Sequence, residues 1–302
     1  MSINQIPNQT KPDSSETSGW NQAPPSLAEP ERPRLDLFLA FCVWASSWIL
    51  LLLTALLFLV PYILIQLKGG PATGADSPEA KKQIILITLL SIIPAHALTL
   101  GVAWAVVTRW RKRPFWETLR WRWPKESDRQ GRIIRVGVTV ALAIALQALS
   151  YVIAKYLPGG ETDIDQIIKS SLAARLLTAF LATATAPLVE EIVYRGVLYP
   201  AVDRVIGKIW AVLIVTLMFA LVHVPQYYNS VAVVTAILML SLVLTIVRAY
   251  TESLFYCFLL HLFFNGATSI AILLELDKPA TPEKTLGSII QFCQMITAHF
   301  GG

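Results

Sequence analysis

The chain has 302 residues, of which 55% are hydrophobic and 15% charged, with a formal net charge of +5. A soluble domain of this length carries about a quarter charged residues. The composition therefore argues against a soluble globular domain, and the modest positive charge gives no reason to expect a nucleic-acid partner.

Residues 1–34 are rich in Pro, Ser, Asn and Gln and nearly lack large aliphatic side chains. Such a segment cannot bury enough apolar surface to offset its ordering entropy, so it predicts a disordered polar tail ahead of a membrane domain over 35–302. The first apolar run, 37–66, follows that tail and is too long for a signal-peptide core, which predicts a retained membrane helix. Further runs lie at 84–107, 136–156, 172–189, 209–222, 231–247 and 254–274. Runs near 20 residues suit helices crossing a hydrocarbon core of about 30 Å. The last run, 285–300, is short and mixed, and suits an interfacial helix as well as an eighth span. The expected fold class is all-α, a polytopic transmembrane bundle of seven or eight spans. Cys42, Cys257 and Cys293 show no metal-type or redox spacing and read as apolar filler.

The linker after the second span carries ten Lys or Arg between Arg109 and Arg135, interleaved with Trp110, Trp116, Trp121 and Trp123. A short loop this basic stays cytoplasmic, and Trp favours the headgroup zone. The linker therefore predicts an interfacial segment on anionic lipid. It also places the N-terminus, 200–208 and 248–253 in the cytoplasm, with 67–83, 157–171 and "VPQYYNS" outside, for a multi-pass protein of the cell membrane.

Ionisable residues inside spans are the functional candidates. In "PLVEEIVYRG", residues 187–196, Glu191 and Arg195 are four apart in the favoured order and predict an ion pair. Glu190 is rotated from Glu191 by about 100°, is left without a cation on its own helix and is free to face another partner. "FALVH" places Phe219 and His223, and "HLFFN" places His261 and Asn265, four residues apart on one helix face. Measured from the predicted cytoplasmic edges, Glu190 lies about 13 Å in, His261 about 10 Å, Asn265 about 16 Å and His223 about 21 Å. That is one polar layer. Phe219 reads as packing that shapes it, Tyr194 and Tyr199 as packing or interfacial aromatics. His96, beside the kink expected at Pro94, reads as structural.

Such a layer suits hydrolysis. A buried carboxylate next to His can act as general base on water, while His and Asn are donors for an oxyanion. Glu190, His223 and His261 can equally hold a divalent metal such as Zn with an open position for water. No HExxH, no GxSxG and no serine–histidine pairing favours other chemistry.

"EEIVYR" fits EExxxR, "FALVH" fits FxxxH and "HLFFN" fits HxxxN. Together these motifs resemble the CPBP family of intramembrane proteases, which includes CAAX prenyl endopeptidases and the Abi-type bacteriocin-processing or immunity proteins. The resemblance covers 172–270 closely and the earlier helices only in general character. It implies a membrane endopeptidase acting on membrane-associated proteins or peptides. Carried over by position, Glu190 activates the water, His223 helps hold it, His261 and Asn265 stabilise the oxyanion, and Glu191 and Arg195 support the site. Prenylated CAAX tails, bacteriocin leaders and anchored protein segments are all compatible substrates. A non-catalytic immunity or binding protein on the same scaffold is the alternative, disfavoured by the intact motif set. A proton-coupled transporter is disfavoured because the sequence shows no inverted repeats.

Overall fold

The computed structural model describes residues 32–68, 77–122, 129–160, 163–227 and 229–274. The tail expected over 1–34 falls almost wholly outside them, as do the run 285–300 and Cys293. Every regular element among the described residues is helical, as the composition requires.

Helix α1 spans Pro33–Lys68 and has Asp36 in its first turn. A proline at the start and an acid beside the positive end of the helix dipole both favour initiation there, so the helix begins ahead of the predicted boundary at residue 35. It pairs extensively with α2, Pro78–Val107. The Ser77 side chain caps α2 by accepting from the Ala80 N–H at 3.1 Å. The basic linker contains the single turn α3, Phe115–Thr118. Then come α4, Arg129–Tyr156, and α5, Asp163–Ser170, a short helix where only a loop was expected.

The run expected to stop at 189 continues as one rod to Ile206. It comprises α6, Leu172–Phe180, a π-helical segment Leu181–Thr185, α7, Ala186–Glu190, a second π-segment Glu191–Leu198, and α8, Tyr199–Ile206. Gly207, at φ +87°, turns the chain sharply into α9, Lys208–Leu221. That φ is open to glycine and unfavourable to other residues. The short α10, Val224–Tyr227, leads to α11, Val231–Thr251, and α12, Leu254–Leu274.

Among the described residues six helices are long and apolar enough to cross a membrane: α1, α2, α4, the 172–206 rod, α11 and α12. The seventh expected span is the 14-residue α9, about 21 Å by its rise and shorter than the hydrocarbon core. The rod is the centre of the bundle, with every residue of the second π-segment buried. Helix α1 is peripheral and turns Leu52, Leu53 and Leu57 outward.

Both π-segments have one cause in the sequence. Proline has no N–H, and its ring presses on the carbonyl four residues back. At Pro187 the ladder shifts to five-residue spacing, with the Ala186 N–H on Leu181 O. The five-residue partner of Ala182 O would then be Pro187, which cannot donate. That carbonyl is satisfied instead by Asn265 Nδ2 at 2.9 Å. The pattern repeats at Pro200. The Tyr199 N–H reaches Tyr194 O, Arg195 O has only Pro200 at five residues, and Arg248 Nε donates to it at 2.9 Å. Buried carbonyls need such partners. Two prolines thus fasten the rod to α12 and to α11.

Gly196 lets the strap 114–120, which carries α3, and α12 approach the rod. A Cβ there would lie 3.0 Å from Leu119 Cδ2 and 3.1 Å from Leu254 Cδ2, both on buried residues. Gly196→Ala should be close to neutral, because about 1 kcal/mol of helix propensity offsets the crowding. Gly196→Val should lose about 1–3 kcal/mol through overpacking. Thermal unfolding in detergent separates the two; a Val variant as stable as the Ala variant would mean that the contact is loose.

Candidate active site

Arg195 projects from the second π-segment toward α11 and is wholly buried. Its Nη1 donates to Glu191 Oε1 at 3.0 Å, and its Nη2 to Ser241 O at 3.1 Å and Ser241 Oγ at 2.8 Å. Its Nε donates to Thr245 Oγ1 at 3.3 Å. The guanidinium carbon lies 4.7 Å from the centroid of Phe219, close enough for cation–π attraction. The predicted Glu191–Arg195 pair is therefore present, and α11 completes it.

Glu191 Oε1 has a second partner, His261 Nδ1, at 2.9 Å. A carboxylate only accepts, so Nδ1 carries the hydrogen and the ring orientation is fixed. The other ring nitrogen, Nε2, then faces Glu190 Oε2 at 3.7 Å. The two carboxylates were expected to diverge to unrelated partners. They meet opposite edges of one imidazole, because the nitrogens of the ring point to different sides and the helix changes to π spacing at Glu191.

Asn265 follows His261 by four residues on α12, and both are buried. Its bond to Ala182 O uses one of its two amide hydrogens. Its Oδ1 has no hydrogen-bond partner among the described residues. His223 lies in the turn after α9, where its Nδ1 approaches Phe219 O at 2.5 Å. Phe219 is the common wall of the site. Its ring centroid lies 4.8 Å from His223, 6.3 Å from His261 and 5.0 Å from Tyr194.

One neighbour of Glu190 was not foreseen from the sequence. Glu190 lines a small cavity of about 10 Å³ together with Ser47, His96, Thr99 and Tyr194. That is roughly the room one water needs. The Tyr194 hydroxyl accepts from Trp44 Nε1 at 3.1 Å, tying the cavity wall to α1. His96, read as structural beside Pro94, lines this cavity together with Glu190. The signal that marks it is the one used elsewhere, an ionisable side chain inside a span.

Among the described residues no group of three His, Cys, Asp or Glu side chains is placed to hold a metal ion. Glu190, His223 and His261 do not form such a group. Removing Arg195 leaves Glu191 as a buried charge without its guanidinium. Arg195→Ala should therefore cost about 3–5 kcal/mol and sharply lower the yield of folded protein, read by size-exclusion chromatography and thermal unfolding. Arg195→Lys should rescue it only in part, since an ammonium cannot span Glu191, Ser241 and Thr245. Full rescue by Lys would show that charge alone matters.

Residues 172–267 match the family model described as Type II CAAX prenyl endopeptidase Rce1-like. No curated protein and no solved structure matches the chain. The matched stretch begins where α6 begins and ends two residues past Asn265, so it holds all three motifs. The match supports a CAAX-protease-type membrane endopeptidase at the level of the family. Through these residues the chain is similar to the Rce1-like CAAX endopeptidases, in agreement with the resemblance that its motifs carry.

Proposed function

We propose that the protein is an intramembrane endopeptidase that cleaves peptide bonds of membrane-associated substrates with water activated by Glu190. The observation that carries this reading is the buried imidazole of His261, bonded through Nδ1 to Glu191 and facing Glu190 through Nε2. A carboxylate kept beside a fixed imidazole, next to a water-sized cavity, is suited to proton transfer.

In this mechanism Glu190 takes a proton from water as the oxygen attacks the scissile carbonyl carbon. His223, bonded to Phe219 O, helps hold that water. The carbonyl oxygen gains negative charge and accepts from the second Asn265 amide hydrogen and from His261 Nε2–H. His261 enters the cycle with a hydrogen on each nitrogen and keeps both throughout, with Glu191 accepting from Nδ1, so the only proton moved is the one that Glu190 takes from water. Collapse of the tetrahedral carbon breaks the C–N bond, and Glu190 returns its proton to the departing amine. No covalent enzyme intermediate forms. The Rce1-like match makes prenylated CAAX tails the first substrate class to try.

Glu190→Gln should abolish cleavage of a labelled peptide in detergent while the unfolding temperature stays close to wild type. Asn265→Ala should lower kcat by roughly 10²–10³, the usual loss for one oxyanion donor. Turnover retained in Glu190→Gln would remove the mechanism. Comparing membrane proteomes that contain active or Glu190→Gln enzyme identifies the substrate.

The N-terminus belongs in the cytoplasm on this reading. Arg109, Arg111, Lys112, Arg113, Arg204 and Lys208 gather at the bundle end where α1 begins and α2 ends, which is the positive-inside pattern. Gly160→Cys in a cysteine-free background should be labelled from outside intact cells by an impermeant maleimide. Labelling only after permeabilisation reverses the orientation.

A further inference from the structure

A second polar centre lies at the bundle end that carries the basic linker. A cavity of about 240 Å³ opens there between the start of α1, the end of α2, the strap 114–120, α8 and the end of α11. At about 30 Å³ per water this is room for a group much larger than a single ion. Six cationic and three acidic side chains line it. The acids are largely committed. Asp36 binds Arg109 at 2.7 Å and Arg204 at 3.5 Å, and Glu252 binds Arg120 at 2.5 Å, while Asp203 forms no ion pair among the described residues and leaves the lining with a cationic excess of six to three.

Arg248 is the telling residue. It is 3% exposed. Its Nε donates to Arg195 O at 2.9 Å, and its Nη2 approaches Leu119 O at 3.5 Å. No carboxylate lies within ion-pair distance of it among the described residues, and its Nη1 has no hydrogen-bond partner there. A buried cation satisfied only by carbonyls calls for an anion. Tyr199, 4% exposed, lines the same cavity, and its hydroxyl has no hydrogen-bond partner among the described residues. Lys208 forms no ion pair among the described residues and lies at the rim. An Arg fork, a hydroxyl and a Lys together form a donor set matched to phosphate oxygens.

The surroundings specify where that phosphate comes from. The cavity lies at helix ends, where headgroups lie, and the neighbouring Trp110 and Trp116 are exposed, as membrane-interface indoles are. Basic pockets between membrane helices on the cytoplasmic side suit anionic headgroups. We propose that this cavity binds the phosphate of an anionic phospholipid headgroup.

The test uses full-length protein in nanodiscs of phosphatidylcholine, with or without phosphatidylglycerol, read by native mass spectrometry and thermal unfolding. Wild type should retain phosphatidylglycerol and unfold several degrees higher in its presence. Tyr199→Phe, which removes a hydroxyl and no charge, and Lys208→Gln should each reduce retention several-fold. Arg111→Gln loses the same charge as Lys208→Gln at a residue outside the cavity, and should retain the lipid. A third arm titrates inorganic phosphate into delipidated protein. Stabilisation by phosphate without selective lipid retention overturns the headgroup assignment in favour of a free anion. Equal losses in Lys208→Gln and Arg111→Gln, or no stabilisation by either ligand, overturn the site.

Discussion

One oxygen atom, Glu191 Oε1, accepts from a guanidinium and from an imidazole at the same time. Charges inside hydrocarbon persist only when they are paired and hydrogen-bonded, and this atom is where the pairing converges. Through Arg195 it reaches Ser241 and Thr245 on α11, and the ring of Phe219 on α9. Through His261 it reaches α12. Three helices are thereby oriented around the rod by one carboxylate. The same atom selects which nitrogen of His261 is turned toward Glu190. The interaction that stabilises the bundle is thus also the one that aims the imidazole, and the ion pair cannot be treated as scaffolding separate from the site.

The two prolines work in the same direction. In a regular α-helix the carbonyls of Ala182 and Arg195 would be used within the rod and would offer nothing to its neighbours. The shift to π spacing before Pro187 and Pro200 releases them, and each is taken by a side chain of another helix, Asn265 and Arg248. π-segments are frequent at functional sites, and here each trades a local bond for a tertiary one. Here the exchange fixes the depth and rotation of α12 and α11 relative to Glu190. Helix packing in lipid has little hydrophobic drive, so directed bonds of this kind carry a larger share of specificity.

The sequence made the spans legible because hydropathy reports lipid contact directly, and it is lipid contact that organises this chain. The motif residues were legible as intramembrane polar groups, and the Glu191–Arg195 pair followed from spacing alone. What was not legible depended on the path of the backbone. The rod continues to Ile206 because its later half is buried by protein and needs no uniform apolar face. A short helix replaced the loop before residue 171 because an amphipathic turn leaves little hydropathy signal. The convergence of Glu190 and Glu191 on His261 was missed because a straight helix was assumed, although Pro187 and Pro200 announced that the ladder would be broken. The shared cavity of His96 and Glu190 was not legible either, because it depends on how α2 packs against the rod.

The rod also joins the two polar centres. Glu190 and Tyr199 are nine residues apart, about 13 Å along the axis, so one borders the water-sized cavity and the other the basic cavity at the membrane face. Between them Gly196 admits Leu119 and Leu254, which close the apolar gap. Arg248 is a charged bridge between the two regions, since its Nε holds the carbonyl of the residue that holds Glu191. A headgroup at the basic cavity would therefore supply the counter-charge for a cation that already supports the ion pair. The lipid would then be part of the architecture that keeps a carboxylate and an imidazole face to face inside the membrane.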